Sequence, residues 1–409
     1  MRKVALFGGG YIAQKKYFLF DDLFTVECCY DNDKTKWGDV LYDVPIRKWE
    51  KQKNTAYIII TVVSWEEIAL QLEEEGLELV KDYLPFYVFD DLSYASLYYL
   101  RKNYFNGKYL NKELDYSALL ADKKLAVTYG NCQTIVYEKA LRLNSAFREE
   151  FMIISIPRIF EYTFEAELIE FFLNDKKFWN SIGLFIYQYV SENNRFFDGL
   201  SSELCLKKLS ATCEKVAIVS MEFEGYFPQV EKSWGGIFLG YRDKYIDALM
   251  QQNLEVDEII RIIGDEDFIS DTAIENCMQN SLSKLKKRDS FADVKIYDYI
   301  EHNCMEEQLF FHPRHPCDHL LIEYAKRIFS YLNLKWDITD EDFAMIGSAG
   351  IMRGDDIVIY PSVIKKLNLK RYEKRFYFNR EFISESMTLD FKQCMEIYMR
   401  YMCRIRVEL

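Results

Sequence analysis

Short apolar runs alternate with longer amphipathic stretches over the first 90 residues of the chain. The apolar runs have the length of buried strands, and the stretches between them repeat their hydrophobic positions at helical spacing. Strands separated by helices predict a parallel sheet that is covered on both faces. The predicted strands are 4–7, 24–30, 57–61 and 86–89, and the predicted helices are 11–20 and 65–75.

The same alternation returns after a polar, tyrosine-rich stretch at 91–120, which we interpret as a helical linker. We therefore predict an α/β fold with a Rossmann-like parallel-sheet domain at 1–90 and a larger α/β domain at 121–335. A mostly helical segment, 241–303, interrupts the second domain, and a C-terminal extension, 336–409, is expected to pack on it. Further predicted elements are strands 125–128, 151–156, 182–187, 216–220 and 357–360, helices 164–173 and 391–402, and a loop at 347–354.

A glycine-rich turn follows the first predicted strand. Residues 8–13 read G-G-G-Y-I-A and fit the pattern G-x-G-x-x-G/A, and Asp31 ends the second strand about 20 residues further on. In a dinucleotide-binding site Gly8 and Gly10 would let the backbone approach a phosphate, and Asp31 would accept hydrogen bonds from a ribose. A domain whose glycines only permit close helix packing fits the same pattern. A bound nucleotide or nucleotide sugar and a docking platform are thus both open.

A second strand-to-helix turn presents a cysteine. Gly130, Asn131, Cys132 and Gln133 lie between the strand at 125–128 and a helical stretch. Gly130 can adopt a backbone conformation that other residues resist, and the amides at the helix start direct partial positive charge towards a group beside Cys132. This arrangement suits acyl or phosphate chemistry, whereas the alternative is a tight turn with a buried, inert thiol.

All four histidines lie in one short segment and comprise His302, His312, His315 and His319. His312 and His315 each precede a proline, which favours an extended or polyproline conformation with both imidazoles on one side. A zinc site with Cys304 and Cys317 is one reading, but no C-x-x-C or H-E-x-x-H spacing supports it, and we predict no metal ligands. The others are a proline-stiffened structural loop and a general base placed opposite a nucleophile.

Composition excludes several classes of partner. The formal net charge of -13 argues against nucleic acid and anionic membranes, because both need clustered lysine and arginine. No apolar run approaches the roughly 18 residues of a membrane span. The N-terminus enters a strand-like segment and does not resemble a signal peptide, so we predict a cytoplasmic protein, in which the ten dispersed cysteines are expected to be mostly reduced.

The cysteine turn at 129–133 and the later sequence His312-Pro313-Arg314-His315-Pro316, which precedes a long helix, resemble the WcbI family of capsular polysaccharide biosynthesis acetyltransferases. The resemblance covers about 120–335 and leaves residues 1–90 outside. It implies an enzyme that uses coenzyme A or acetyl-coenzyme A as co-substrate and acylates a sugar hydroxyl of a bacterial surface polysaccharide.

For such a transfer we predict that His315, or else His312, is the general base. Asn131 and Gln133, with backbone amides near Cys132, would stabilise the oxyanion. Cys132 either carries the acetyl group as a thioester or only shapes the pocket while the sugar hydroxyl attacks directly.

Gly130, Arg314 and Gln188 are the expected cofactor contacts, since Gln188 ends a later strand of the same sheet, where open parallel sheets bind ligands. The expected partners are an acyl donor and a sugar or glycan acceptor, and self-association or a glycan-assembly partner is left open. Two other functions remain: a glycan esterase that uses the same cysteine and histidines, and a non-catalytic scaffold that binds nucleotide sugars.

Overall fold

The computed structural model of the chain describes residues 3–51, 56–89, 92–104, 116–120, 123–158, 166–192, 200–233, 240–339, 341–342, 356–378 and 387–408. The protein is a mixed α/β structure with parallel sheets. It forms two compact units, of which the first comprises Met1–Asn131 with Leu141–Val216 and the second comprises Cys132–Ala140 with Ala217–Leu409. The predicted succession of domains along the chain stays a prediction, because compact packing does not tell which segments fold alone.

The first unit contains a six-stranded sheet of order β3-β4-β2-β1-β5-β6. Strand β1 lies in the centre and is parallel to β2 and β5, while β3 alone pairs in antiparallel fashion, with β4. The strands β1 and β5 are buried over almost their whole length, as expected for parallel strands covered on both faces. The elements are β1 Lys3–Phe7, α1 Tyr11–Leu23, β2 Thr25–Tyr30, β3 Val40–Leu41, β4 Val44–Arg47, β5 Tyr57–Ile60, α2 Trp65–Glu74 and β6 Tyr83–Pro85.

The strand predicted at 86–89 is wrong. The last strand of this sheet lies three residues earlier, at Tyr83–Pro85, and Phe86–Phe89 forms a 3-10 turn. Pro85 has no N–H to donate to a neighbouring strand, which favours the end of the strand at that residue. The apolar side chains of Val88 and Phe89 are nevertheless buried.

A second, four-stranded sheet has the order β10-β9-β7-β8. Strand β7 is parallel to both β8 and β9, and Tyr129 lies opposite Tyr187. The turn that follows β7 and the end of β9 therefore lie at the same edge. The elements are α3 Tyr94–Asn103, α4 Tyr116–Leu120, β7 Lys124–Tyr129, α5 Gln133–Leu143, α6 Ser145–Glu150, β8 Phe151–Ile153, α7 Ala166–Asn174, α8 Lys176–Ser181, β9 Ile182–Gln188, α9 Ser202–Lys208 and β10 Glu214–Ile218.

The second unit is rich in helices and contains short antiparallel hairpins. Helix α12 begins where the Ser270 side chain accepts a hydrogen bond from the Ala273 amide, the usual capping arrangement. The elements after β10 are β11 Val230–Lys232, β12 Tyr241–Asp243, α10 Lys244–Met250, α11 Val256–Ile263, α12 Asp271–Ser290, α13 Tyr297–Asn303, β13 Phe310–His312, β14 His315–Pro316, α14 Asp318–Tyr331, α15 Pro361–Leu367, β15 Phe376–Phe378, β16 Met387–Leu389 and α16 Phe391–Glu408.

The strand predicted at 357–360 belongs to none of the described sheets. This segment is buried and bonds to separate neighbours: the Ile357 amide donates to the Phe311 carbonyl at 2.8 Å, and Val358 accepts from the Gln229 side chain at 2.7 Å. This apolar run is therefore buried without forming the regular hydrogen-bond ladder of a β-sheet. The loop predicted at 347–354 lies outside the described residues. Among the helices that are described, none has the length and apolar character needed to cross a membrane.

Candidate active site

The turn after β7 is held by the neighbouring strand β9. Gly130 has a φ of 156°, a value that residues with a side chain rarely adopt, as predicted for this position. The Asn131 amide donates to the Gln188 side-chain oxygen at 2.9 Å, and Gln188 is buried. Because β7 and β9 are parallel neighbours, Gln188 positions the turn that leads to Cys132.

Gln133, the first residue of α5, ties the start of this helix to two distant segments of the second unit. Its side-chain nitrogen donates to the carbonyls of Met221 at 2.7 Å and Arg314 at 2.9 Å, and its oxygen accepts from the Met221 amide at 3.1 Å. The side chain is 0% exposed, and both amide hydrogens are used. Its amide therefore fixes the position of the segment around Arg314, which differs from the oxyanion contact predicted for it.

The two central histidines form a cross-strand pair. Strands β13 and β14 are antiparallel with His312 opposite His315, so of the two predicted conformations both histidines take the extended one and not polyproline. The imidazoles still lie on one side, with ring centres 4.9 Å apart. His312 is 0% exposed and its Nδ1 accepts the Arg314 amide hydrogen at 3.2 Å, whereas His315 is 8% exposed.

Arg314 at the tip of this hairpin contacts an aromatic side chain and a carboxylate. Its guanidinium lies 5.3 Å from the ring centre of Tyr241, and its Nε is 3.9 Å from a Glu222 oxygen that belongs to a carboxylate also bound by Arg288 at 2.8 Å. The Tyr241 ring also packs edge-on against His312. Burial raises the pKa of Tyr241 to about 12, so its hydroxyl is neutral at pH 7.

Tyr241, Glu222 and Arg288 were not predicted. Arg288 ends a basic cluster, Lys284 to Arg288, that is typical of a solvated helix end, and no spacing rule connects the three residues. Only their approach to the histidine hairpin gives them a place in the site.

Cys132 lies immediately before α5 and is partly exposed. Among the nine cysteines in the described part of the chain, only Cys132 and Cys277 are not buried. Burial raises the pKa of Cys277 to about 11, which leaves that thiol protonated at pH 7. The alternative of a buried thiol at the turn is therefore wrong for Cys132. Through Gln133, the structure brings the start of α5 and the histidine hairpin together.

The other histidines take different partners. The His319 ring lies 3.2 Å from the Cys317 sulfur and 3.6 Å from a Glu307 oxygen, and burial lowers the pKa of His319. Burial also raises the pKa of the Cys317 thiol well above its usual range. Within the described ranges, no three His, Cys, Asp or Glu side chains are grouped so that they could hold a metal ion.

The glycines of the N-terminal turn differ in how much room the structure leaves for a side chain. Gly8 has a φ of 114°, and a Cβ atom there would lie 2.3 Å from Cγ1 of Val62. A Cβ at Gly10 would meet nothing within 4 Å. Gly8 is thus required by the local packing, whereas Gly10 is not.

The Asp31 carboxylate closes back onto this turn. One oxygen accepts the Gly9 amide hydrogen at 2.8 Å and binds the Lys36 ammonium at 2.9 Å, and the other accepts the Asp33 amide hydrogen at 2.8 Å. This is the carboxylate that was predicted to bind a ribose, and three protein groups bond to it in the structure. The glycine-rich turn therefore uses Asp31 to stabilise itself.

A family model described as polysaccharide biosynthesis enzyme WcbI matches residues 125–336, which is more than half of the 409-residue chain. The chain belongs to the WcbI family. The matched segment contains both the Cys132 turn and the histidine hairpin. Both candidate motifs of this polysaccharide biosynthesis enzyme therefore lie in the region that the family shares.

A solved structure of WcbI has a similar fold. It is described as the native protein without a disulfide bond between coenzyme A and one of its cysteines. The sequence identity is 19%, the TM-score is 0.52, and the alignment covers 68% of this chain and 90% of that one. At this identity the similarity concerns the fold alone. No curated protein matches the chain.

Proposed function

We propose that this WcbI-family member transfers an acyl group, acetyl in the simplest case, from coenzyme A to a sugar hydroxyl during polysaccharide biosynthesis. The observation that carries the proposal is the link made by Gln133. This residue joins the start of α5, where Cys132 lies, to the hairpin that presents His312 and His315. A thiol, a helix N-terminus and an imidazole pair are thus gathered in the segment that the family model matches.

His315 is the proposed general base, because it is the less buried of the two imidazoles. His312 accepts a backbone hydrogen at Nδ1, which in the neutral ring leaves its proton on Nε2, and it serves to orient its partner. In direct transfer, the base takes the hydroxyl proton and the sugar oxygen bonds to the acyl carbon. The carbon–sulfur bond then breaks, and coenzyme A leaves as a thiol after it receives the proton.

Asn131 and the backbone amides beside Cys132 are the proposed oxyanion donors, since the start of α5 directs partial positive charge to this point. Gln133 acts as a positioning residue. Cys132 keeps two proposed roles. In a covalent route its sulfur would take the acyl group from coenzyme A and pass it to the sugar, and in direct transfer it would only line the pocket.

The description of the WcbI structure names coenzyme A, which supports coenzyme A as a ligand of this family member. A disulfide between coenzyme A and a cysteine requires that cysteine to lie at the thiol end of the cofactor. Cys132 is the best counterpart here, because it is partly exposed at the start of a helix. Arg314, whose side chain is 41% exposed, is proposed to contact the cofactor, with the guanidinium suited to a phosphate.

The order of the parallel strands around β1 supports a Rossmann-like assignment for the N-terminal sheet. The bonds from Gly9 and Lys36 to Asp31 give no support to a ribose at that carboxylate. A thermal-shift comparison of nicotinamide dinucleotides and nucleotide sugars with coenzyme A tests this turn separately. Stabilisation by a nucleotide would contradict the closed arrangement.

The transferase proposal is tested by incubating the full chain with acetyl-coenzyme A and a panel of sugars. Thiol release and the mass of the acetylated sugar are measured for the wild type, His315→Ala and Cys132→Ala, with the exposed His302→Ala as a matched control. We expect turnover in the wild type and the control. Acetate release from acetylated sugars without coenzyme A would indicate an esterase, and binding of nucleotide sugars without any turnover would indicate a scaffold.

A further inference from the structure

A cavity of about 530 Å³ lies in the second unit next to the histidine hairpin. The β11–β12 hairpin, the start of α10 and one face of α12 line it. Tyr241 is one of its walls, and the same ring touches His312 and Arg314. One side chain therefore separates the cavity from the imidazole pair.

The charges that line the cavity do not cancel. Glu224 pairs with Lys284 at 3.1 Å, and Glu231 pairs with Arg242, so both carboxylates are neutralised. In the described part of the chain no carboxylate lies within ion-pair distance of the remaining two cations, Lys232 and Lys244. A surplus of positive charge in a protein of net charge -13 favours an anionic ligand at this place.

The neutral lining has the groups that recognise a sugar ring. Asn276 and Asn280 are four residues apart on α12, so both amides project from the same face of the helix into the cavity. An amide can both donate to and accept from hydroxyls. The partly exposed ring of Tyr245 offers an apolar face to the C–H groups of a sugar.

We infer that this cavity binds the acceptor as a sugar that carries a carboxylate or phosphate group. The inference rests on the proposed acyl transfer, for which the acceptor hydroxyl must reach His315. Lys244 and Lys232 bind the anionic group, and the asparagines bind hydroxyls. Coenzyme A also carries phosphates, but its pantetheine arm separates them from the thiol. An occupant only one ring away from the imidazole pair therefore fits the acceptor better.

The test measures binding to the full chain by ligand-observed NMR with glucuronate, glucose 1-phosphate and uncharged glucose as probes. Coenzyme A binding is measured on the same samples. Lys244→Met removes one cation from the cavity, and Lys286→Met removes one from a position of α12 that does not line it, where the ammonium lies 5.2 Å from the Tyr297 ring centre. Asn280→Ala removes one amide from the lining.

We expect the wild type and Lys286→Met to bind the two acidic probes about tenfold more tightly than glucose. Lys244→Met should lose that preference and keep its affinity for coenzyme A, and Asn280→Ala should weaken all three sugars. Raised salt should weaken the acidic probes only. Unchanged binding of acidic probes by Lys244→Met would overturn the inference, and so would a loss of coenzyme A affinity in its place.

The transfer assay separates this inference from the proposed function. Tight binding of acidic sugars without any acetyl transfer would overturn the transferase and the acceptor role, and it would leave the cavity as an acidic-sugar site. Transfer to neutral sugars without preferential binding of the acidic probes would overturn the cavity assignment and leave the transferase standing.

Discussion

The two strand-to-helix turns of this protein, Gly8 to Ala13 and Gly130 to Gln133, each donate an amide hydrogen to a side chain of a neighbouring strand, and the second turn also bonds to a distant segment. In the first, Asp31 from the neighbouring strand accepts the Gly9 amide, and the turn is closed upon itself. In the second, Gln133 bonds to Arg314, which lies 181 positions away in the sequence. Nearby partners thus close a turn, whereas remote partners bring other chemical groups to it.

The largest effect is expected in the histidine hairpin, to which Gln133 of the second turn bonds. His315→Ala should lower acetyl transfer by about 10²–10⁴-fold, the range typical of a lost general base, with little change in stability. His312→Ala should cost less activity if it only orients His315, because the base itself remains. Initial rates of thiol release from acetyl-coenzyme A measure both. Equal, wild-type rates in the two variants would remove the imidazoles from the mechanism.

Gly8→Ala tests the closed turn. The positive φ and the 2.3 Å approach to Val62 should together cost about 3 kcal/mol of unfolding free energy. Gly10→Ala is the matched control, since a Cβ there meets nothing within 4 Å. Urea unfolding measures the difference between them. We expect the Gly8 variant that remains folded to keep its specific transfer activity, and a selective loss of activity would show that this turn takes part in the reaction.

Gln133→Met tests the link to the histidine hairpin. The change leaves the buried backbone groups of Met221 and Arg314 without the glutamine, which should cost about 2 kcal/mol. The folded Gln133→Met protein should also transfer the acetyl group more slowly, because the histidine hairpin loses its bond to Gln133. In this respect it should differ from the Gly8 variant. The exposed Gln252→Met is the control. A loss of stability without any change in kcat would contradict the positioning role.

A pH-dependent effect concerns a second buried carboxylate. Asp31 has Lys36 as a cationic partner, whereas Asp243 is bonded to the Tyr360 hydroxyl at 2.7 Å and to the amides of Tyr245 and Ile246. Burial raises the pKa of Asp243 from its ordinary 3.8 to about 7. The folded state therefore holds a proton that the unfolded chain releases between about pH 4 and 7.

The contribution of this proton to stability is complete below about pH 4 and is lost as the pH rises through 7. Relative to the wild type, Asp243→Asn should gain stability by at most about 1.4 kcal/mol per pH unit over this window and then level off. Urea unfolding of both proteins at pH 5, 6, 7 and 8 measures the difference. A difference that does not change with pH would contradict the raised pKa.

The elements of the parallel sheets could be predicted because they follow from short-range patterns. The strands β1, β2, β5, β7 and β9 were found near their predicted positions, since apolar runs and helical spacing are visible within a few residues. The errors arose where a buried apolar run does not form a strand of a sheet. Phe86–Phe89 forms a turn after Pro85, and 357–360 is buried without a ladder.

Within the candidate site, sequence indicated Cys132, His312 and His315, because the order of two short motifs resembles a known family. It did not indicate that His312 and His315 pair across a hairpin, or that Gln133 holds that hairpin in place. Two prolines suggested one extended segment, whereas the structure folds it into two short paired strands joined by a turn at Pro313 and Arg314.

The sequence by itself determined the alternation of strands and helices, the position of the two turns and the family to which the chain belongs. These features depend on side-chain periodicity, on the stereochemistry of glycine and proline, and on residue order, all of which are local. Only the tertiary structure decided that Asp31 closes one turn, that Gln133 connects the other to the histidines, and that a positively charged cavity lies behind Tyr241. Those outcomes depend on which residues from distant parts of the sequence come into contact. Because buried polar groups need hydrogen-bond partners, the groups that meet in the folded chain bond to one another.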